Sequence, residues 1–146
     1  MAVVLTVSNK FKFEMGQGKI NFTSDAFKVI LMKSGFVFDK DAHGVYADIS
    51  ANEITNAGGY TVGGYALTAD SAWAQDNTGD KASITWVDKA FTASGAAFDT
   101  FCAAIIFDDT PTSPADIIVG CITFGQDIDV ADGNNFQLTD MGYDKK

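Results

Sequence analysis

Apolar residues along this chain come in short groups, and the spacing within each group predicts the element it forms. Between Thr6 and Gly16 the positions Val7, Phe11 and Met15 recur every four residues, the spacing of one helical face. Ser8 or Thr6 is available as an N-cap and Gly16 as a stop, so a short amphipathic helix is expected. Phe11 and Phe13 also alternate with lysines, a pattern that suits a strand. Phe27-Lys-Val-Ile-Leu-Met-Lys33 is β-rich and almost continuously apolar, as in a strand buried on both faces or one whose outer face meets a partner.

From Ser34 to Gly59 the chain carries loop chemistry, within which Ser50-Ala-Asn-Glu53 has the spacing of a capping box and predicts one helical turn. Tyr60-Thr-Val and Tyr65-Ala-Leu-Thr flank Gly63-Gly64, which predicts a bulged strand or two strands joined by a tight turn. Lys81–Val87 alternates cleanly and places Ala82, Ile84 and Trp86 on one face. Further strands are expected at 90–93, 103–107, 117–124 and 135–139, with Phe136 and Leu138 sharing a face. Asp132-Gly133-Asn134 reads as the tip of a hairpin between strands containing Ile128 and Phe136. About eight short strands with one short N-terminal helix predict a mainly β protein, an antiparallel β-sandwich of jelly-roll-like form. Residues 1–18 are expected as an N-terminal helix or docking arm, and 19–146 as the sandwich, within a single domain.

Composition narrows the function. At 146 residues, 47% hydrophobic and 20% charged, the chain suits one globular core. No apolar run approaches the ~20 residues that span a bilayer, and the first residues lack the charged n-region of a secretory signal, so synthesis and retention in the cytoplasm are expected. Nineteen acids against ten lysines, with no arginine, give a net charge of −9. Such a surface repels phosphate backbones, which argues against nucleic acid and anionic membranes as partners. The asparagine-like preference of aspartate for turns, with 17 Asp and two Glu, fits a turn-rich β protein. Cys102 and Cys121 are expected as reduced, buried thiols on a hairpin across 108–116, where a one-residue change of register decides whether they face each other.

Candidate chemistry is sparse. His43, the sole histidine, lies in Asp39-Lys-Asp-Ala-His-Gly44 and reads as a solvated loop residue, since no nucleophile elbow accompanies it. Asp127, Asp129 and Asp132 alternate like calcium ligands, but Ala131 and Asp132 occupy the fifth and sixth places of the loop, which breaks the EF-hand register. Asp108 and Asp109 are adjacent and so point to opposite faces of a strand; they read as a strand end leading into a rigid turn. Gly16 and Gly18 match neither a phosphate loop nor a dinucleotide fingerprint. The expectation is a non-enzyme without cofactor or metal.

Taken in order, several segments resemble a family of small tailed-bacteriophage virion structural proteins. They are Phe27-Lys-Val-Ile-Leu-Met, Gly35-Phe-Val-Phe-Asp-Lys-Asp-Ala-His43, Tyr46-Ala-Asp-Ile-Ser-Ala-Asn-Glu-Ile54 and Gly59-Tyr-Thr-Val-Gly-Gly-Tyr-Ala-Leu-Thr68. Trp86-Val-Asp88, Phe91-Thr-Ala93, Ala103-Ala-Ile-Ile-Phe-Asp-Asp-Thr110, Val119-Gly-Cys-Ile-Thr-Phe-Gly-Gln-Asp127 and Asp132-Gly-Asn-Asn-Phe136 continue the likeness to the end. The family commonly closes with a tryptophan and a Gly-aromatic pair, where this chain has Met141-Gly-Tyr143 and a Lys-Lys tail. The resemblance implies a capsid decoration (cement) protein with a jelly-roll-like sandwich, bound to the major capsid protein on the outer surface of a phage head, as a homo-dimer or trimer. Two other readings stand beside it: a tail or head-fibre subunit, and a carbohydrate- or calcium-binding module using Asp127 and Asp129. For docking, the apolar positions Val3, Val4, Leu5, Phe11, Phe13 and Met15 are the candidates, set against the reading that they close the protein's own core.

Overall fold

A computed structural model describes residues 5–146. The chain is mainly β, with antiparallel sheets stacked as a sandwich. Ten strands form among the described residues where about eight were expected: β1 (Leu5–Val7), β2 (Phe27–Lys33), β3 (Tyr65–Ala66), β4 (Ala69–Asp76), β5 (Lys81–Trp86), β6 (Lys89–Thr92), β7 (Phe101–Thr112), β8 (Ala115–Ile128), β9 (Asn135–Leu138) and β10 (Gly142–Lys145). Two short α-helices, α1 (Asn9–Gly16) and α2 (Tyr46–Ile49), accompany them.

The main sheet runs in the order β1-β8-β7-β2-β3. At its centre the long β7–β8 hairpin pairs with β2, and apolar residues alternate to both faces. Phe27, Val29 and Leu31 of β2, with Ala104 and Ile106 of β7, enter one core; Ile30, Met32, Ala103, Ile105 and Phe107 enter another. The first core is covered by two smaller sheets, β10-β5-β4 and β6-β9, through Ile84, Trp86, Tyr143, Phe91 and Leu138. The second is covered by the loop and helix that carry Phe36, Phe38, Tyr46 and Ile49. This accounts for the continuous apolar run of β2: both its faces are covered by its own chain, and none is left over for a partner.

Pairing shifts between Ile106/Phe107 and Gly120/Ile118 mark a bulge in β8. A residue is skipped there, so Val119 faces the first core and Cys121 the second, two positions on. Gly120 sits where a Cβ would lie 2.5 Å from the Thr6 carbonyl of β1, so only glycine allows the edge strand to approach. Another irregularity between Phe101 and Ala103 turns Cys102 toward the same core as Cys121. Both cysteines are free; Cys121 is buried as expected, while Cys102 is only half-buried.

Local signals explain the remaining differences. The helix ends at Gly16 as expected, but the left-handed residue that closes it is Gly18, at φ +75°: its N–H donates to the Met15 carbonyl while Lys19 N–H reaches the Glu14 carbonyl, a Schellman ending. Ser8 is the N-cap residue by position, but its hydroxyl makes no capping bond. Of the two halves around Gly63-Gly64 only Tyr65–Ala66 becomes a strand. Ser50–Asn52 forms a 3₁₀ turn without the predicted capping box, because the Glu53 carboxylate points elsewhere; Asp48 instead caps α2 by accepting the N–H groups of Gly44 and Val45, each at 3.0 Å. Asp132-Gly-Asn134 is a turn but not a hairpin tip. Its flanking strands belong to different sheets, β8 to the main sheet and β9 to the pair with β6.

Candidate functional site

The six apolar positions proposed for docking separate. Val3 and Val4 lie outside the described residues. Leu5 pairs through β1 with Ile122 and packs against the first core. Phe11 is fully buried (0% exposed), edge-on to Phe22 at 5.9 Å and to Tyr143 at 5.2 Å between ring centres. It is therefore core and not a docking residue. Met15 is half-buried, and its sulfur accepts the Tyr143 hydroxyl at 3.9 Å. Phe13, by contrast, is 61% exposed. Two residues along a helix are about 200° apart, so the helical fold of this segment parts Phe11 from Phe13 where a strand would have kept them together.

Beside α1 lies the loop that carries Val37, 78% exposed. Asn9 N–H donates to the Lys40 carbonyl at 3.0 Å and its side-chain amide to Asp41, so this loop is stitched to the first turn of the helix. Thr6, Val37, Phe38, Asp39, Lys40 and Asp41 line an open depression of about 460 Å³ there. Lys12 is exposed on the same helix.

The polar candidates serve as fasteners of loops. His43 Nδ1 accepts the Asp39 N–H at 3.0 Å, and its ring stacks on Phe36 at 5.6 Å between centres. The Asp39 carboxylate accepts the N–H groups of Asp41 and Ala42, which hold its pKa below the usual carboxylate range. Asp127 accepts the Ser34 hydroxyl at 2.6 Å, Asp129 that of Thr100, and Asp132 the Gly95 N–H at 2.9 Å. Each carboxylate thus secures a different loop. Among the described residues no group of three or more His, Cys, Asp or Glu converges with metal-site geometry.

Asp108 and Asp109 do point apart, as their adjacency requires, but they lie within β7 rather than at its end. Asp109 meets Lys28 at 3.1 Å, while Asp108 is fully buried. Sequence reasoning missed Glu53, which it assigned to a cap. This buried carboxylate accepts the hydroxyls of Tyr46 at 2.5 Å and Tyr60 at 2.7 Å and the N–H of Gly63 at 3.0 Å. Tyr60 in turn accepts the Leu31 N–H of β2 at 3.0 Å. Burial, and then the Glu53 charge, push both phenols above their ordinary range, so they stay protonated donors. The network has its hydrogen bonds made and pins residues 46–63 across β2. The spacing that signals it is the pair of tyrosines seven residues either side of Glu53.

Searches against known family profiles, curated proteins and solved structures found no match to this chain.

Proposed function

We propose that the chain is a capsid decoration protein that docks on the outside of a phage's major capsid lattice through the end of the molecule formed by α1 and the Val37 loop. The observation that carries this reading is the exposure of Phe13 on α1, beside exposed Lys12, and of Val37 on the loop bonded to the first turn of that helix, on an otherwise acid-rich chain. Residues 1–40 contain six lysines and three acids, whereas residues 41–146 contain four lysines and sixteen acids. Of those six lysines, Lys10, Lys12 and Lys40 are exposed on α1 and the Val37 loop, whereas Lys28 and Lys33 belong to β2 in the main sheet. Such polarity orients a subunit: the lysine-bearing end turns to the lattice and the acidic body to solvent, where it keeps particles dispersed. The resemblance of the ordered segments from Phe27 to Phe136 to virion structural proteins supports the same role. Binding of this kind works through many copies, each burying about 1,000 Å² or more with its neighbours. A symmetric dimer or trimer is the expected form on the lattice.

The test is co-sedimentation of the purified chain with heads that lack it. The wild-type chain is expected to pellet with the heads at a regular stoichiometry, and the Phe13→Asp/Val37→Asp double variant, folded by circular dichroism, to stay in the supernatant. Binding to tails instead of heads would transfer the role to the tail or head-fibre reading. Equal pelleting of the double variant would remove α1 and the Val37 loop as the docking end.

A further inference from the structure

We infer that Asp108 keeps its proton against the Asp25 carboxylate and so latches the Phe22 turn onto the sandwich, and that loss of this proton releases the turn. Asp108 is 0% exposed and sits in β7 opposite Phe27 of β2 and Ile117 of β8. Its Oδ1 accepts the Thr110 N–H at 3.0 Å. Its Oδ2, equally buried, has no donor within reach. Ala26 is bonded to β7 on both sides, its carbonyl accepting the Asp109 N–H at 2.8 Å and its N–H donating to the Thr110 hydroxyl at 2.8 Å, which sets the carboxyl of the preceding residue, Asp25, beside Asp108. Two carboxyls can bond only if one of them carries a proton, and a buried oxygen with no other donor requires it to be there.

Surrounding charges leave that requirement in place. Asp25 on the preceding turn and Asp109 on β7 are the charged groups acting on Asp108 among the described residues, and both are acids. Lys28 of β2 is engaged by Asp109 at 3.1 Å, and Asp116 of β8 acts on Asp109 in turn. Lys19 Nζ is held by the Ser113 carbonyl at 2.7 Å. Tyr143, from β10, faces the aromatic cluster above and is itself kept neutral by burial. Burial, and then the Asp25 contact, push the Asp108 carboxyl up to about 8.

Asp25 carries the proton's effect to the rest of the molecule. Its Oδ2 accepts the Asn21 N–H at 2.8 Å, and the Asn21 carbonyl accepts the N–H groups of Ser24 and Asp25, closing a turn over residues 21–25. On this surface turn Phe22 points inward. Its ring stacks on Trp73 at 4.7 Å, Phe27 at 5.1 Å and Tyr143 at 5.4 Å, and lies 6.4 Å from Trp86 and 5.9 Å from Phe11. One side chain thereby joins α1, β2, β4, β5 and β10. When Asp108 is charged as well, the repulsion between this buried anion and the half-buried Asp25 carboxylate is relieved most cheaply by moving the surface turn, since Asp108 is held within the central strand.

The sign follows from the raised pKa. Stability is full below the ordinary carboxylate range and is lost as pH rises from about 4 toward 8. Hydrogen exchange of residues 19–26, read relative to the β7–β8 core between pH 6 and 10, together with the emission of Trp73 and Trp86, tests the latch. In the wild-type chain both signals are expected to change with a midpoint near pH 8. In Asp108→Asn, whose amide donates to Asp25 as the protonated acid does, the turn is expected to stay protected throughout. The unfolding constant of wild type relative to this variant is expected to rise by up to tenfold per pH unit within the window, the limit for one proton. Asp25→Asn leaves Asp108 buried but removes the facing charge and is expected to move the same midpoint to lower pH, so the test survives if one variant does not fold. A wild-type turn as protected at pH 10 as at pH 6, or an unchanged midpoint in the variants, overturns the inference.

Discussion

Individual side chains in this molecule act mainly as fasteners, and Glu53 is the one whose removal has the widest reach. Glu53→Ala leaves the buried Tyr60 hydroxyl and the half-buried Tyr46 hydroxyl and Gly63 N–H without an acceptor, at about 1–3 kcal/mol for each unsatisfied group. Urea unfolding is expected to show a loss of at least 3 kcal/mol, with a smaller loss for Glu53→Gln, which keeps an acceptor oxygen. Asp99 shapes the acid side of the stability profile. The hydroxyl and N–H of Thr55 both donate to it and hold its pKa below the ordinary value. A lowered folded-state pKa gives stability that is present above the unfolded-state value near 4 and is lost as pH falls, so Asp99→Asn is expected to flatten that acid limb in a pH series of thermal melts. Cys121, pushed up to about 12 by burial, is expected to resist alkylation at pH 8 until the chain unfolds, as mass spectrometry of native and urea-treated protein would show.

At the scale of elements, α1 shows how a period sorts side chains that composition cannot. Phe11→Ala is expected to cost about 3–5 kcal/mol, as for any large aromatic removed from a packed core, while Phe13→Ala stays within about 0.5 kcal/mol. Denaturant midpoints of the two variants check this, and equal costs would contradict the orientation of the helix. The same period was legible in the sequence as Phe11 and Met15, whereas Val7, expected on the same helical face, belongs to β1, because it pairs with Gly120 of β8. β2 and the β7–β8 hairpin were legible too, because their apolar runs are long and strongly β-forming. β4 was not. Ala-Asp-Ser-Ala-Trp-Ala-Gln-Asp has no alternation of apolar and polar residues, and it becomes a strand through pairing with β5 and the packing of Trp73 on Phe22. Gly18 was passed over as the helix stop because Gly16 comes first; which glycine takes the left-handed conformation depends on where the last carbonyls find their donors.

For the molecule as a whole, two cores on opposite faces of one sheet leave the surface to charge. Docking as proposed, through the face that carries Lys10, Lys12 and Lys40 on an acid-rich chain, would depend on salt. Co-sedimentation with heads is expected to weaken as ionic strength rises from 50 to 500 mM, with Lys12→Glu weakening it further at low salt. Sequence alone determined the class of fold, the apolar centre of the main sheet, the free thiols and the helix beside the N-terminus, because each follows from local spacing and from which residues avoid water. It also placed Asp108 and Asp109 on opposite faces. Only the tertiary structure decided that Asp108 lies buried against Asp25, that Glu53 faces two tyrosines, that a bulge at Gly120 sends Cys121 to the second core, and that Phe13 alone among the described docking candidates is mostly exposed. Those outcomes depend on which distant strands pair and in what register, and a shift of one residue reverses the face of every side chain beyond it.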